Sequence, residues 1–167
     1  IVHQHKMLHL DIKPANIYIR NDLSPVLLDF GAARQTFVEE GLRLNPVYTP
    51  GYASPEQYTN RELLGPWSDC YSIGASVFAC LTGMAPQAAD ERLAKDRYVS
   101  ATKLGNGRYS RQLLETVDWC LELDHMKRPQ SVFALQKVMM EEKEPERHRK
   151  RSMFDTLRGA LTRGSAR

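Results

Sequence analysis

The stretch SDCYSIGASVFACLTG at residues 68–83 is apolar on nearly every side, and it constrains the fold more than any other segment. Ser68 is a residue type that caps helix starts, and Gly83 is the type that commonly ends helices. A helix that is apolar all round is normally buried inside a domain. We therefore predict one central helix here, with the rest of the chain packed around it.

Two other segments predict helices with one apolar face, since apolar residues recur in them at helical spacing. They are SRQLLETVDWCLEL, with Leu113, Val117, Cys120 and Leu121, and SVFALQKVMMEE, with Val132, Leu135, Val138 and Met139. A short charged helix is predicted around residues 90–97.

A β-hairpin is predicted over residues 17–30. NIYIR alternates, PVLLDF is a short apolar run, and NDLSP between them has turn chemistry. Residues 31–52 show no period, and a loop of that length in a compact domain is usually functional or disordered. The predicted fold class is therefore mainly α with a small β-hairpin.

The net charge of +3 is unevenly distributed along the chain. From Arg147 onward there are seven Lys or Arg against one acid, Asp155, which leaves 16 basic and 19 acidic residues elsewhere. A mildly acidic body disfavours a basic nucleic-acid-binding face, so no nucleic acid partner is expected. The segment EEKEPERHRKRS reads as a solvated linker. For the basic tail after it, docking on the domain, disorder and weak association with anionic membrane through Phe154 and Leu157 are all open.

Cys70, Cys80 and Cys120 are odd in number and have no metal-binding spacing. We interpret them as buried, reduced thiols of a cytoplasmic protein. The apolar runs are shorter than the ~20 residues of a membrane-spanning helix. The chain begins with Ile1 and carries no signal-peptide pattern, so we interpret it as a fragment or a truncated gene product.

The loop LHLDIKPANIYI concentrates the polar chemistry of the sequence. Asp11 and Asn16 precede the predicted hairpin and Asp29 ends it, so strand pairing brings these oxygen ligands to one edge. Such ligands suit Mg²⁺, which is commonly bound by one or two carboxylates together with substrate phosphates. Lys13 beside them is suited to neutralise a phosphoryl group.

Five motifs in order resemble those of eukaryotic-type (Hanks-type) protein kinases, and their wording is closest to the bacterial serine/threonine kinases. The motifs are HLDIKPAN, DFG at 29–31, TPGYASPE, SDCYSIG and LELDHMKRPQS. The resemblance implies the large (C-terminal) lobe of the kinase-like α+β fold over residues 1–140, followed by a flexible charged linker and basic tail at 141–167.

The resemblance also implies roles for individual residues. Asp11 would accept the proton of the substrate hydroxyl, and Lys13 would stabilise the transferred γ-phosphoryl of ATP. Asn16 and Asp29 would hold two Mg²⁺ ions on the ATP phosphates. Thr49 would brace the loop and contact the protein substrate.

Other residues match structural positions of the family. Glu56 and Arg128 would form a buried ion pair, and Asp69 would bind the backbone of the catalytic loop. Leu10 stands where many kinases carry an arginine that pairs with a phosphate on the activation segment. We therefore predict that activity does not depend on phosphorylating residues 36–52.

The expected activity is transfer of the ATP γ-phosphoryl to Ser or Thr hydroxyls of proteins. The glycine-rich loop and lysine strand of the family do not occur in these residues, so we expect very low or no activity from this chain alone. A noncatalytic, pseudokinase-like interaction module and a small-molecule phosphotransferase remain alternatives. The long segment ending in SPE favours a peptide substrate over a small molecule.

Overall fold

The structure is a computed structural model that describes residues 3, 7–32, 34–35 and 48–141. The helices are α1 (Pro55–Thr59), α2 (Pro66–Thr82), α3 (Ala89–Ala94), α4 (Ala101–Leu104), α5 (Arg111–Cys120) and α6 (Val132–Met140). The strands β1 (Met7–Leu8), β2 (Ile17–Ile19), β3 (Pro25–Leu27) and β4 (Arg34–Gln35) pair antiparallel, β1 with β4 and β2 with β3. The prediction of a mainly helical chain with a small hairpin is confirmed.

The long helix α2 forms the centre of the packing, as predicted from its composition. Tyr71, Ala75 and Phe78 are buried along it, in one cluster with residues of α5 and the α3–α4 region. Small residues let α5 approach closely: a Cβ on Gly74 would lie 2.4 Å from the Cβ of Cys120. The two helices therefore meet almost backbone to backbone.

The start of α2 differs from the prediction, because the helix begins at Pro66 and not at Ser68. Proline suits a first helical position, where its missing N–H needs no partner. Ser68 lies one turn in and its hydroxyl accepts a hydrogen bond from the Gly65 amide at 3.2 Å. The predicted end is confirmed: Gly83 adopts φ 81° and its amide bonds to the Ala79 carbonyl.

The hairpin pairs Ile17 with Leu27 and Ile19 with Pro25. Its turn is closed by Ser24, whose amide and hydroxyl both donate to the Asp22 carboxylate. The region predicted as a loop contains one further strand, β4, which pairs with β1. Residues 33 and 36–47 of that predicted loop lie outside the described residues.

The apolar faces predicted for α5 and α6 are buried to different extents. On α5, Val117 and Cys120 are buried and Leu113 is half-buried. On α6 only Leu135 of the four predicted residues is buried, while Val132 and Met139 are exposed. The reason is position: α6 packs on α5 and α2 from one side, and the described residues leave its opposite side uncovered.

The charged segment at 90–97 forms a helix that ends at Ala94, and one of its charges points inward. Arg92 is only 5% exposed and donates to the Leu121 carbonyl at 2.7 Å. The same guanidinium donates to the Asp96 carboxylate and lies over the Tyr98 ring. This residue therefore joins α3 to the end of α5.

The cysteine prediction is correct for two residues and wrong for one. Cys70 and Cys120 are buried, but Cys80 is exposed because it lies on the side of α2 that the described residues leave uncovered. Within the described ranges no helix is long and apolar enough to span a bilayer. The predicted linker and tail, apart from Glu141, lie outside the described residues.

Substitution of Gly74 by Ala should destabilise the protein. Overpacking of a tight contact typically costs about 1–3 kcal/mol, whereas the better helix propensity of alanine returns at most about 1 kcal/mol. Urea unfolding followed by circular dichroism should show a lower midpoint for Gly74→Ala, and an unchanged midpoint for Cys80→Ala on the exposed side. An equal or higher midpoint for Gly74→Ala would contradict the close approach of α2 and α5.

The three thiols should differ in reactivity. Burial raises the pKa of Cys70 to about 12 and also raises the pKa of Cys120, so neither forms the reactive thiolate readily. At pH 8 a disulfide reagent that releases a coloured thiolate should modify one cysteine of the folded protein quickly, and all three in urea. Mass spectrometry of the partly modified protein should place the fast modification on Cys80.

Candidate functional site

Residues 9–16 connect β1 to β2 through one tight turn, Pro14–Asn16. Proline is tolerated at such a start because it has no N–H to satisfy. The amide of Asn16 donates to the Lys13 carbonyl at 2.9 Å, and the amide of Ile17 donates to the Pro14 carbonyl. This turn holds the three polar side chains of the loop near one another.

Asp11, Lys13 and Thr49 form a closed triangle of polar contacts. The Lys13 ammonium lies 2.8 Å from Asp11 Oδ2 and donates to Thr49 Oγ1 at 2.8 Å. The Thr49 hydroxyl in turn donates to Asp11 Oδ1 at 2.9 Å. Asp11 is 7% exposed, and a buried carboxylate needs such partners. The triangle thus brings a carboxylate, an ammonium and a hydroxyl into direct contact.

Asn16 completes the loop from the side of the hairpin. Its Nδ2 donates to the Asp11 carbonyl at 2.9 Å and to Asp11 Oδ2 at 3.1 Å. The side-chain carbonyl oxygen of Asn16 makes no hydrogen bond within the part of the chain that the structure describes. It therefore has the capacity to accept a further ligand.

Asp29 comes next to Asn16 through the strand pairing, because the amide of Leu28 donates to the Asn16 carbonyl at 2.8 Å. The backbone of Asp29 is left-handed, with φ 59°, and its carboxylate accepts from the Gly31 amide at 3.1 Å. The side chain is exposed. It makes no hydrogen bond to Asp11, Lys13 or Asn16.

The oxygen atoms of Asn16 and Asp29 suit a hard cation whose remaining ligands are waters or phosphates. Asn16 and Asp29 offer an amide oxygen and a carboxylate, and Mg²⁺ usually takes one or two protein carboxylates with waters and phosphates. In the described residues no three His, Cys, Asp or Glu side chains converge as a metal site of their own. The chain is thus suited to share a cation with a phosphate ligand.

Asp69 of α2 binds the backbone of the loop from below. Its Oδ1 accepts from the Leu10 amide at 2.8 Å, and its Oδ2 accepts from the His9 amide at 2.9 Å. His3 Nε2 lies 2.7 Å from the same Oδ2. Asp69 is 1% exposed. Hydrogen bonds to several N–H groups are what a buried carboxylate requires.

His9 is enclosed and holds two backbone groups. Its Nδ1 accepts from the Asp11 amide at 3.3 Å, so its Nε2 carries the proton and donates to the Leu28 carbonyl at 3.0 Å. The ring also meets Phe30 edge to face, with centroids 4.9 Å apart. His9 therefore connects the loop that carries Asp11 to the end of the hairpin, and both of its ring nitrogens are occupied by backbone groups.

Glu56 and Arg128 form the predicted ion pair, and both side chains are buried. Two guanidinium nitrogens donate to the two carboxylate oxygens, at 2.6 and 3.1 Å. Ser68 donates to Glu56 Oε1 at 2.6 Å, and Arg128 donates to the Trp67 carbonyl at 3.2 Å. This pair attaches α1 to α2 and to the segment before α6.

Residues 48–54, which we call the Thr49 segment, contact α1 through an aromatic pair. The rings of Tyr48 and Tyr58 lie 4.5 Å apart. Burial of Tyr58, and secondly the charge of Asp90, raises its pKa to about 12, so its hydroxyl stays neutral at physiological pH. The contact keeps Thr49 close to the loop.

Sequence reasoning missed Gln57. Its Nε2 donates to the Leu10 carbonyl at 2.9 Å, and its Oε1 accepts from the Ser54 amide at 3.0 Å. The pattern of Ser54 with Gln57 three residues later is a capping-box signal, which could have predicted the second contact. Nothing in the local pattern predicts the first.

The structure thus brings together four of the predicted site residues, Asp11, Lys13, Asn16 and Thr49. Asp29 is adjacent along the hairpin, but its carboxylate turns to its own backbone. The three predicted structural residues, Glu56, Asp69 and Arg128, lie beneath this group and are paired. The site is a set of contacts between the loop, the Thr49 segment and α2.

Parts of this chain are similar to known proteins. A family model described as protein kinase domain matches residues 1–140. Serine/threonine-protein kinase C of Synechocystis sp. is 38% identical over 96 residues, covering 52% of this chain and 17% of that protein. PknA of Nostoc sp. is 41% identical over 93 residues, with 52% and 16% covered. PknF of Mycobacterium tuberculosis is 39% identical over 107 residues, with 60% and 22% covered.

The matched parts are therefore a small share of these relatives' own lengths. Among solved structures, the apo form of PpkA-294 is similar with a TM-score of 0.70 and 36% identity. The similarity covers 83% of this chain and 48% of that chain.

Removal of one partner of the buried ion pair should be strongly destabilising. Arg128→Met leaves the Glu56 carboxylate buried without its cation, which typically costs about 3–5 kcal/mol. Lys137→Met is the matched control, since Lys137 and Glu141 are 68% and 63% exposed and their pair is worth little. Thermal unfolding should show a large loss for Arg128→Met alone; equal small losses would refute the assigned importance of the pair.

Proposed function

The chain belongs to the protein kinase domain family, and on that premise we propose that it provides the large lobe of a serine/threonine protein kinase. The reaction is transfer of the ATP γ-phosphoryl to Ser or Thr hydroxyls of protein substrates. In this proposal residues 1–140 form the lobe and residues 141–167 form a separate charged segment.

The contact that supports this function most directly is the triangle of Asp11, Lys13 and Thr49. The Thr49 hydroxyl already donates to the Asp11 carboxylate, so a substrate hydroxyl at this edge would meet the same acceptor. Asp11 accepts the proton, and Lys13 neutralises charge on the phosphoryl group as it moves. Such transfer depends mostly on positioning and charge neutralisation, which these residues are suited to supply.

ATP and Mg²⁺ are the proposed cofactors. Asn16 and Asp29 would hold the metal ions, and Lys13 would contact the γ-phosphate. When bound, the ions would neutralise the charge that develops on the phosphate oxygens. Two features support this assignment. Within the described residues the side-chain oxygen of Asn16 accepts no hydrogen bond, and the carboxylate of Asp29 is exposed.

The remaining residues act through the fold. Asp69 holds the backbone before Asp11, and the Glu56–Arg128 pair keeps α1 beneath the Thr49 segment. Thr49 supplies a contact surface for the residues around the phosphoacceptor. A protein substrate fits this proposal better than a small molecule, because Thr49 lies against Asp11 and belongs to the long segment ending in SPE, which favours a peptide substrate.

We also propose a cellular location and partners for the protein from its sequence. The unpaired cysteines support a cytoplasmic location, and the mildly acidic body supports a protein partner over a nucleic acid. The basic tail is proposed to associate weakly with anionic membrane. Vesicle sedimentation at low salt, with neutral vesicles as control, is the corresponding measurement.

The test of the proposed function is ATP-dependent phosphorylation of a generic basic protein by the natural gene product that contains these residues. Asp11→Asn should lower the rate by at least about a hundredfold, the usual contribution of a general base. Asp22→Asn, in the exposed hairpin turn, should leave the rate unchanged. This chain alone should show very low or no transfer.

Retention of activity by Asp11→Asn would refute the assigned role of Asp11. Absence of activity in the natural gene product, with correct folding, would favour the noncatalytic interaction module instead.

A further inference from the structure

The peptide that joins Leu10 to Asp11 is held at each of its polar groups by a side chain. The Leu10 carbonyl accepts from Gln57 Nε2 at 2.9 Å, and the Asp11 amide donates to His9 Nδ1 at 3.3 Å. One step earlier, the Leu10 amide donates to Asp69 Oδ1 at 2.8 Å. Leu10 has φ 64°, a left-handed conformation that a non-glycine residue keeps only where its surroundings impose it.

Gln57 can hold this peptide in one orientation only. Its Oε1 accepts from the Ser54 amide at 3.0 Å and from the Ser54 hydroxyl at 3.3 Å. A flipped amide would set its NH₂ against the Ser54 N–H and its oxygen against the Leu10 carbonyl, which leaves both pairs unsatisfied. The side chain is 4% exposed, so water does not replace these contacts readily.

The side-chain amide of Gln57 also connects the loop that carries Asp11 to the Thr49 segment. The amides of Tyr52 and Ala53 donate to the Thr49 carbonyl. The turn that they form is followed directly by α1, the helix that carries Gln57. Thr49 binds the side chain of Asp11, and Gln57 binds the backbone that precedes it. Asp11 is therefore held by this segment at two separate points.

The Leu10 side chain is buried and apolar, 2% exposed, and presents no charge to a phosphate group. The attachment between loop and segment is made instead by a neutral amide that is part of the fold. It needs no modification of the chain.

We propose that Gln57 is a positioning residue that orients Asp11 through the Leu10 carbonyl, and that it couples the loop to the Thr49 segment without a phosphate. This inference rests on the proposed function for its effect on transfer. It goes beyond that function in naming the contact that orders the site.

Gln57→Glu separates the two contacts of the side chain. A carboxylate still accepts from the Ser54 amide, as in a capping box, but it cannot donate to the Leu10 carbonyl. Gln57→Met is the second variant, similar in length and unable to make either contact. The matched control is Gln87, whose side chain also joins two backbone groups, at Lys95 and Arg97, on the exposed surface.

Two measurements are made on the natural gene product that contains these residues and on Gln57→Glu, Gln57→Met, Gln87→Glu and Gln87→Met. The first is amide hydrogen exchange at residues 10–11 and at residues 54–59. The second is steady-state phosphorylation, with kcat and the KM for ATP determined separately.

We expect faster exchange at residues 10–11 in both Gln57 variants, and at 54–59 in Gln57→Met only. In Gln57→Glu we expect kcat to fall by between about tenfold and a hundredfold, as for a small displacement of a reacting group. The KM for ATP should change less than about twofold, because the lost contact does not touch nucleotide. The Gln87 variants should match the parent in both measurements.

Unchanged exchange at residues 10–11 in the Gln57 variants would overturn the proposal. So would a fall in kcat with faster exchange at 54–59 but not at 10–11, since that pattern assigns Gln57 to helix capping alone. A parent protein without transfer activity would overturn the proposed function instead. In that event the exchange at residues 10–11 still decides whether Gln57 holds the peptide.

Discussion

The carboxylate of Asp69 joins the central helix to the loop that carries Asp11. It accepts hydrogen bonds from two successive backbone amides, those of His9 and Leu10, and contacts His3 as well. A carboxylate with 1% exposure is stable only when its lone pairs are used. The left-handed turn at Leu10 points its amide at this acceptor. The hydrogen bonds to Asp69 therefore stabilise both its buried carboxylate and the left-handed backbone at Leu10.

A second buried carboxylate, that of Glu56 in α1, is bound by the residue next to Asp69 on α2. Ser68 directly precedes Asp69, and its hydroxyl donates to Glu56, which is paired with Arg128. The first turns of α2 therefore orient both the loop that carries Asp11 and the helix α1 beside it. Because α2 is itself held tightly against α5 at Gly74, these attachments rest on a rigid element.

The parts of the site that lie close in sequence were predictable from it. Asp11, Lys13 and Asn16 occur within six residues, and the alternating and apolar runs after them predict the hairpin that leads to Asp29. The centre of the fold was also predictable, since α2 is apolar nearly all round. Its true start was signalled by Pro66, a favourable first helical residue, although Ser68 gave the more familiar cap signal. Residue composition cannot show which side of α2 the described residues leave uncovered, and the prediction of a buried Cys80 is therefore wrong.

Contacts between distant residues needed either the family resemblance or the structure. The pairing of Glu56 with Arg128 and the anchoring by Asp69 followed from matching motifs, because no periodicity relates positions so far apart. Gln57 shows the remaining limit. Its capping pattern is local and visible, but the direction of its amide nitrogen depends on where the loop lies in space.

The distance along the chain between Glu56 and Arg128, 72 residues, has a consequence for how the protein is made. A ribosome delivers the chain from its N-terminus, so Asp11, Glu56 and Asp69 are all synthesised before the arginine that neutralises Glu56. Contacts between residues so far apart in sequence form late. The entropy cost of closing the loop comes before the contact can stabilise the fold. During synthesis α1 thus carries an unneutralised acid that favours water over the interior. The bonds between Glu56 and Arg128 can therefore form only after the segment before α6 has been synthesised.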